Sequence, residues 1–149
     1  AHSMFAVPEP DERLGILEMD AMNFVQDEHN FNHFDVLHVD LYDATAKGPV
    51  LDTPEFYAAC KQCLVFNGMM TVNLFGDHPS YEKNIDAMKK TFAEVICLSP
   101  SKEGNVVALA FRKKPELKID DLNARAVQIS EKYGLDAKKW LKDLKNSLM

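Results

Sequence analysis

Glycine is scarce in this sequence: six residues out of 149, with no two in a G-x-G spacing. That shortage excludes, within this chain, the tight strand-to-helix turn that lets a backbone close on a pyrophosphate. Cysteine is scarcer still. Cys60, Cys63 and Cys97 are too few for a disulfide framework or a four-ligand zinc site, and no metal is expected. With no secretory pattern at the start, they point to a reducing, cytoplasmic setting. No apolar run approaches the ~20 residues that a membrane helix needs, so no membrane partner is expected. Basic residues are sparse over positions 1–111, 7 against 17 acids, whereas positions 112–149 hold 10 bases and 6 acids. An acidic body repels nucleic acid and gathers small cations. The basic tail mixes both signs at helical spacing and reads as a solvated helix face.

What is present is an ordinary globular composition, 46% hydrophobic and 27% charged, in a chain long enough for one real core. Residues 1–3, ahead of Met4, read as an expression remnant, so 1–4 are set aside as remnant and start. Residues 5–113 read as an α/β domain and 114–149 as a helical extension. Strands are expected near 14–20, 35–41, 69–75, 94–99 and 105–112. The strand at 35–41 is apolar on both sides apart from His38. It is expected to be central and covered by helices, with His38 as a satisfied interior histidine. Asp20 is placed to cap a short helix over 21–26. Thr53, Pro54 and Glu55 form a strong helix start, with the helix reaching Phe66 and stopping at Asn67-Gly68. Ser80 is expected to cap a helix to Phe92, and helices follow over about 120–133 and 136–148, with Gly134 between them. Alternation of strands and helices gives a parallel sheet wrapped by helices. The short link containing Gly104 makes the last two strands an antiparallel hairpin.

Three groups of residues are candidates for chemistry. Cys60 and Cys63 lie inside a helix, nearly two turns from its N-terminus, and read as core thiols rather than a redox pair. His29 and His33 sit in an Asn-flanked polar stretch and read as a surface loop rather than metal ligands. The third group is Asp40 and Asp43, at the carboxyl end of the 35–41 strand, where open α/β sheets bind their ligands. Two carboxylates there need a partner, and a cationic substrate supplies one. By spacing alone, a plain strand end and turn residue is the preferred reading.

The order of several segments sharpens this. Leu17-Glu18-Met19-Asp20-Ala21, then Asp35-Val36-Leu37-His38-Val39-Asp40-Leu41-Tyr42-Asp43, Gly48-Pro49, Glu55-Phe56-Tyr57 and Asn67-Gly68-Met69-Met70 together resemble the polyamine aminopropyltransferases, the spermidine synthase family, over about residues 11–113. The resemblance implies a Rossmann-like, methyltransferase-type α/β sheet, mostly parallel with a C-terminal antiparallel hairpin and lacking its first strands. It implies aminopropyl transfer from decarboxylated S-adenosylmethionine to a small diamine such as putrescine. Asp40 matches the family's catalytic aspartate, which takes the proton of the attacking amine. Asp43, with Tyr42, falls at the amine site; Asp20 and Ala21, with Leu41, fall at the nucleoside site. A primary amine with a pKa near ~10.4 arrives protonated, so a carboxylate that first binds the cation and then takes its proton suits the reaction.

The departures carry expectations as well. The family's Gly-rich loop and ribose-binding acid have no counterpart here, Ala44 stands where the family usually has Pro, and only 100–104 link the last strands. The chain is therefore expected to be the C-terminal part of such an enzyme, a fragment or a truncated product, binding the nucleoside weakly or not at all. With two strands missing beside 35–41, residues 5–20 are expected to be rearranged, disordered or paired with another copy, which makes a homo-oligomer the expected state. The alternative is a non-catalytic or methyltransferase-like relative serving as a binding or assembly module.

Overall fold

The computed structural model describes residues 8–42 and 52–148. Asp20 opens helix α1 (Ala21–Gln26), its carboxylate accepting from the Asn23 backbone N–H at 3.1 Å. A short 3-10 turn (Glu28–Asn30) leads to strand β1 (Phe34–Val39). Helix α2 (Pro54–Cys63) starts as its local sequence dictates, with Thr53 accepting from Phe56 N–H and Pro54 in the first turn, where a missing N–H costs nothing. Strand β2 (Leu64–Phe75), helix α3 (Tyr81–Thr91), strands β3 (Glu94–Cys97) and β4 (Asn105–Phe111), and helices α4 (Ile119–Tyr133) and α5 (Ala137–Ser147) complete the order.

The four strands lie in the order β1-β2-β4-β3. β1 pairs with β2 in parallel, and β4 is antiparallel to both of its neighbours, β2 and β3. Three strands thus share one sense, and the last strand enters the sheet between two of them. That returns the hairpin to the core and brings the start of β4 to the same rim as the ends of β1 and β2. One face of the sheet is covered by α1, α2 and α3: Val39, Met70, Val72, Leu74, Ala108 and Ala110 pack there against Phe56, Tyr57, Cys60, Ile85 and Met88. The one buried polar side chain among the described residues, Asn84, is satisfied by the Tyr57 hydroxyl and the Ser80 carbonyl. Helices α4 and α5 close on a small cluster of their own around Ala126, Ala137 and Leu141.

Three expectations fail, each for a non-local reason. Residues 14–20 form no strand; the segment makes a single bridge, Asp11 to Leu14, and leaves Leu17 71% exposed. A strand is stable only with a neighbour to take its hydrogen bonds, and nothing in the four-stranded sheet pairs with it. β1 is an edge strand, as the missing strands imply, and not the central one that its apolar pattern suggests. Asp35, Val36 and His38 are exposed, and His38 instead bonds the Thr71 hydroxyl across the strand pair at 2.7 Å. The third concerns Asn67-Gly68, which does not end a helix. Helix α2 stops at Cys63, and β2 runs through both residues with an irregularity, Phe34 facing Leu64 but Val36 facing Met69. Gly68 is needed at this irregularity. A Cβ there would lie 3.0 Å from the Phe34 and Val65 carbonyl oxygens, and neither can move without the backbone. The Arg112 guanidinium ties the region together, donating to the Leu64 carbonyl and the Asn32 side chain.

Cys60 and Cys63 are buried in the core as expected. Burial pushes the Cys60 thiol up to about 12, and burial likewise raises Cys63. Since the thiolate is the reactive form, a thiol reagent at about pH 8 should leave both unmodified in the native chain and modify them after denaturation. Prompt native-state labelling of Cys60 would contradict the packing described here.

Candidate active site at the rim of the sheet

The site is built where β1 ends. Val39 points into the core and is buried, so the next residue, Asp40, alternates to the other side and is exposed. Its position is fixed from the neighbouring strand. The Asn73 side-chain amide on β2 donates to Asp40 Oδ1 at 3.2 Å. Asn73 Oδ1 in turn accepts from the Asn105 side-chain amide, at the first position of β4, at 3.1 Å. Tyr42 folds back over the same strands. Its hydroxyl donates to the Asn73 backbone carbonyl at 2.8 Å, and its ring meets Phe75 edge-on with centroids 5.6 Å apart. Burial, followed by the charge and hydrogen bonding of Asp40, pushes the Tyr42 phenol up to about 12. Tyr42 therefore remains a neutral donor beside the carboxylate at any ordinary pH.

Next to this polar rim lies a cleft of about 710 Å³. Asp40 and Leu41, Ala21 and Phe24 of α1, and Leu17 and Met19 are among the residues that line it. The segment that fails to form a strand thus becomes an apolar wall. The structure brings together Ala21, Leu41 and Asp40 at the cleft and sets Tyr42 at the rim beside Asp40. Asp20 is exposed and caps α1. Asp43 lies outside the described residues. Among the described residues, no cluster of three His, Cys, Asp or Glu side chains could hold a metal ion. No helix is long and apolar enough to cross a membrane, again among the described residues.

Asn73 and Asn105 were not picked out from the sequence. The available signal was Asn73 itself, an amide lodged in the otherwise apolar run Val72-Asn73-Leu74-Phe75. Strands rarely tolerate such a residue without a specific partner. The partner, however, is set by cross-strand register, Asn73 facing Val107 and Phe75 facing Asn105.

A sheet with three strands of one sense, an antiparallel last strand inserted among them, and an acid at the carboxyl end of a parallel strand defines a methyltransferase-like α/β fold. Solved structures share it. A spermidine synthase in complex with the transition-state analogue AdoDATO matches with a TM-score of 0.62 at 22% identity, over 76% of this chain and 42% of that one. The spermidine synthase of Thermotoga maritima matches at 0.55 and 19% identity, over 76% and 40%. In sequence, the family model of the spermine/spermidine synthase domain matches residues 3–112. The chain belongs to the spermine/spermidine synthase family. The polyamine aminopropyltransferase of Neisseria meningitidis serogroup A is 31% identical over 150 residues, 99% of this chain and 56% of the relative. That of Chromobacterium violaceum is 28% identical over 149 residues, with the same shares. The chain thus spans about half the length of the curated relatives it matches.

Proposed function

We propose that this chain carries the amine-binding side of an aminopropyltransferase, in which Asp40 binds the ammonium group of a small diamine and takes its proton as the amine attacks. The observation that carries the reading is Asp40 itself: an exposed carboxylate at the carboxyl end of a parallel strand, held by Asn73 at one oxygen and opening on a cleft. A carboxylate has about four acceptor sites, so the Asn73 bond leaves room for an ammonium group. The neutral Tyr42 phenol beside it adds no competing charge. Asp43, three residues on, is proposed as the second acid for the diamine, with Tyr42 contributing to the same pocket.

Decarboxylated S-adenosylmethionine is the proposed co-substrate; it supplies a carbon activated by the adjacent sulfonium. The cleft fits one part of it. Leu17, Met19, Ala21, Phe24 and Leu41 form an apolar recess suited to a flat base. Asp20, whose Oδ1 caps α1, stands next to Ala21 and is proposed with it and Leu41 as a nucleoside contact. The rest of the molecule fits less well, because this sequence supplies neither a Gly-rich turn nor an acid placed for the ribose. The cytoplasmic setting and homo-oligomeric state expected from the sequence belong to the same proposal.

Amine binding tests the reading without requiring turnover. Putrescine should bind more tightly than propylamine, and added salt should weaken it, because attraction between exposed charges is screened over ~8 Å at physiological ionic strength. Calorimetric titration of both amines at low and high salt checks this. Equal, salt-insensitive binding of the two amines would overturn it.

A further inference from the structure

Asp40 reaches its partner through a side chain with two chemically opposite ends. The Asn73 amide can present either its NH2 or its carbonyl to the carboxylate, and a carboxylate can only accept. While Asp40 is charged, the NH2 end is favoured. Once Asp40 carries the amine's proton, a reversed amide could accept that proton from it, which would hold the carboxyl in its protonated form. Asn105 stands against that reversal, because its side-chain NH2 occupies Asn73 Oδ1 at 3.1 Å.

We propose that Asn105 is a positioning residue for the site: it clamps the Asn73 amide so that the NH2 end faces Asp40 in both protonation states of the carboxyl. The proposal rests on the reading of Asp40 as the amine-binding base. The backbone that carries the clamp is itself held. The Asn105 backbone N–H donates to Ser101 Oγ at 3.1 Å, and its carbonyl accepts from Ser101 N–H at 2.8 Å. Gly104, directly before it, has φ +87°, a conformation that favours glycine, and its carbonyl accepts from Gly76 N–H at 3.0 Å. The 101–104 turn thus fixes the Asn105 backbone at the rim, and the backbone carbonyl of Asn73 anchors Tyr42 there. β4, β2 and the residue just past β1 contribute one side chain each to a single line of hydrogen bonds, Asn105 to Asn73 to Asp40.

Asn105→Asp is the informative substitution. It keeps the size, removes the donor and sets a second carboxylate to compete with Asp40 for the Asn73 NH2, so Asn73 should be divided between its present orientation and one with its NH2 toward residue 105 and its carbonyl toward Asp40. Two readouts test this. In the first, side-chain amide NMR of this chain follows Asn73 while Asp40 is changed to Asn. The substitution at 40 should shift the Asn73 NH2 signals when Asn105 is present, and should shift them less in the Asn105→Asp background, where residue 105 takes a share of the NH2. In the second, kinetics of the whole protein should show kcat reduced about tenfold or more in Asn105→Asp, the scale expected for a misdirected hydrogen bond at a reacting group. The amine KM should change little, Asn105→Ala should be less impaired than Asn105→Asp, and Asn105→Gln, which restores a donor, should recover part of the loss. The same Asn73 shift in both backgrounds would overturn the clamp, as would Asn105→Asp turning over like the parent. If the parent itself shows no aminopropyl transfer, the functional reading fails, and the NMR comparison still decides whether Asn105 orients Asn73.

Discussion

Replacing Asp40 by Asn is expected to lower aminopropyl turnover of the whole protein by about 10²-fold or more, with little change in folding stability. The substitution is nearly isosteric, at an exposed position beyond the last buried residue of β1. An amide can occupy the place of the carboxylate and still accept from Asn73, so the local architecture has no reason to change. What is lost, on the proposed function, is the negative charge that would attract an ammonium group and the basicity that would take its proton. Because both losses fall on the same residue, kcat/KM should drop more than kcat. Steady-state kinetics beside a thermal melt of the variant checks the expectation. Parent-like turnover with an unchanged melt would remove Asp40 from the reaction.

The second large effect is expected in the core. Met70 is fully buried in the middle of β2, facing Leu37 on β1 and Ala110 on β4. Its side chain belongs to the packed layer between the sheet and α2 and α3. Met70→Ala removes three heavy atoms from a site with no solvent to refill it, and a change of this kind costs about 2–5 kcal/mol. For a chain of this length that corresponds to a melting temperature lower by roughly 5–15 °C. The neighbouring Thr71, half-buried on the other face of the same strand, gives a contrast: Thr71→Ala loses the His38 hydrogen bond and two side-chain atoms at a partly exposed site, and should cost a fraction of that. Similar melting temperatures for the two variants would mean that the face covered by α2 and α3 is not the principal core.

Local signals in the sequence were legible and non-local ones were not. The start of α2 follows from Thr53 and Pro54 alone, and the start of α1 from Asp20, because capping involves residues two or three apart. The hairpin of β3 and β4 follows from its short link. The segment at 14–20 looked like a strand from its run of apolar residues; Leu17 and Met19 line the cleft instead. His38 looked interior because its strand looked central, and both readings fell together once β1 proved to be an edge. Within the site, Asp40 was a candidate through its place at the end of an apolar run, and only the family resemblance set it above a plain strand end. Asn73 and Asn105 lie 32 positions apart and meet only through the register of β2 with β4. No periodicity within either strand announces that meeting.

The central claim is that the Asp40 carboxylate is an amine-binding group at the end of β1. Carbon-13 NMR of the chain with carboxylate-labelled aspartate observes that group directly, with the Asp40→Asn variant assigning its signal. On titration with putrescine at low salt, the Asp40 carboxylate signal should move saturably, and move less with propylamine. The remote carboxylates of Asp120 and Asp136 on the helical extension should stay still. Equal small movements of all these signals, or no movement at Asp40, would contradict the account.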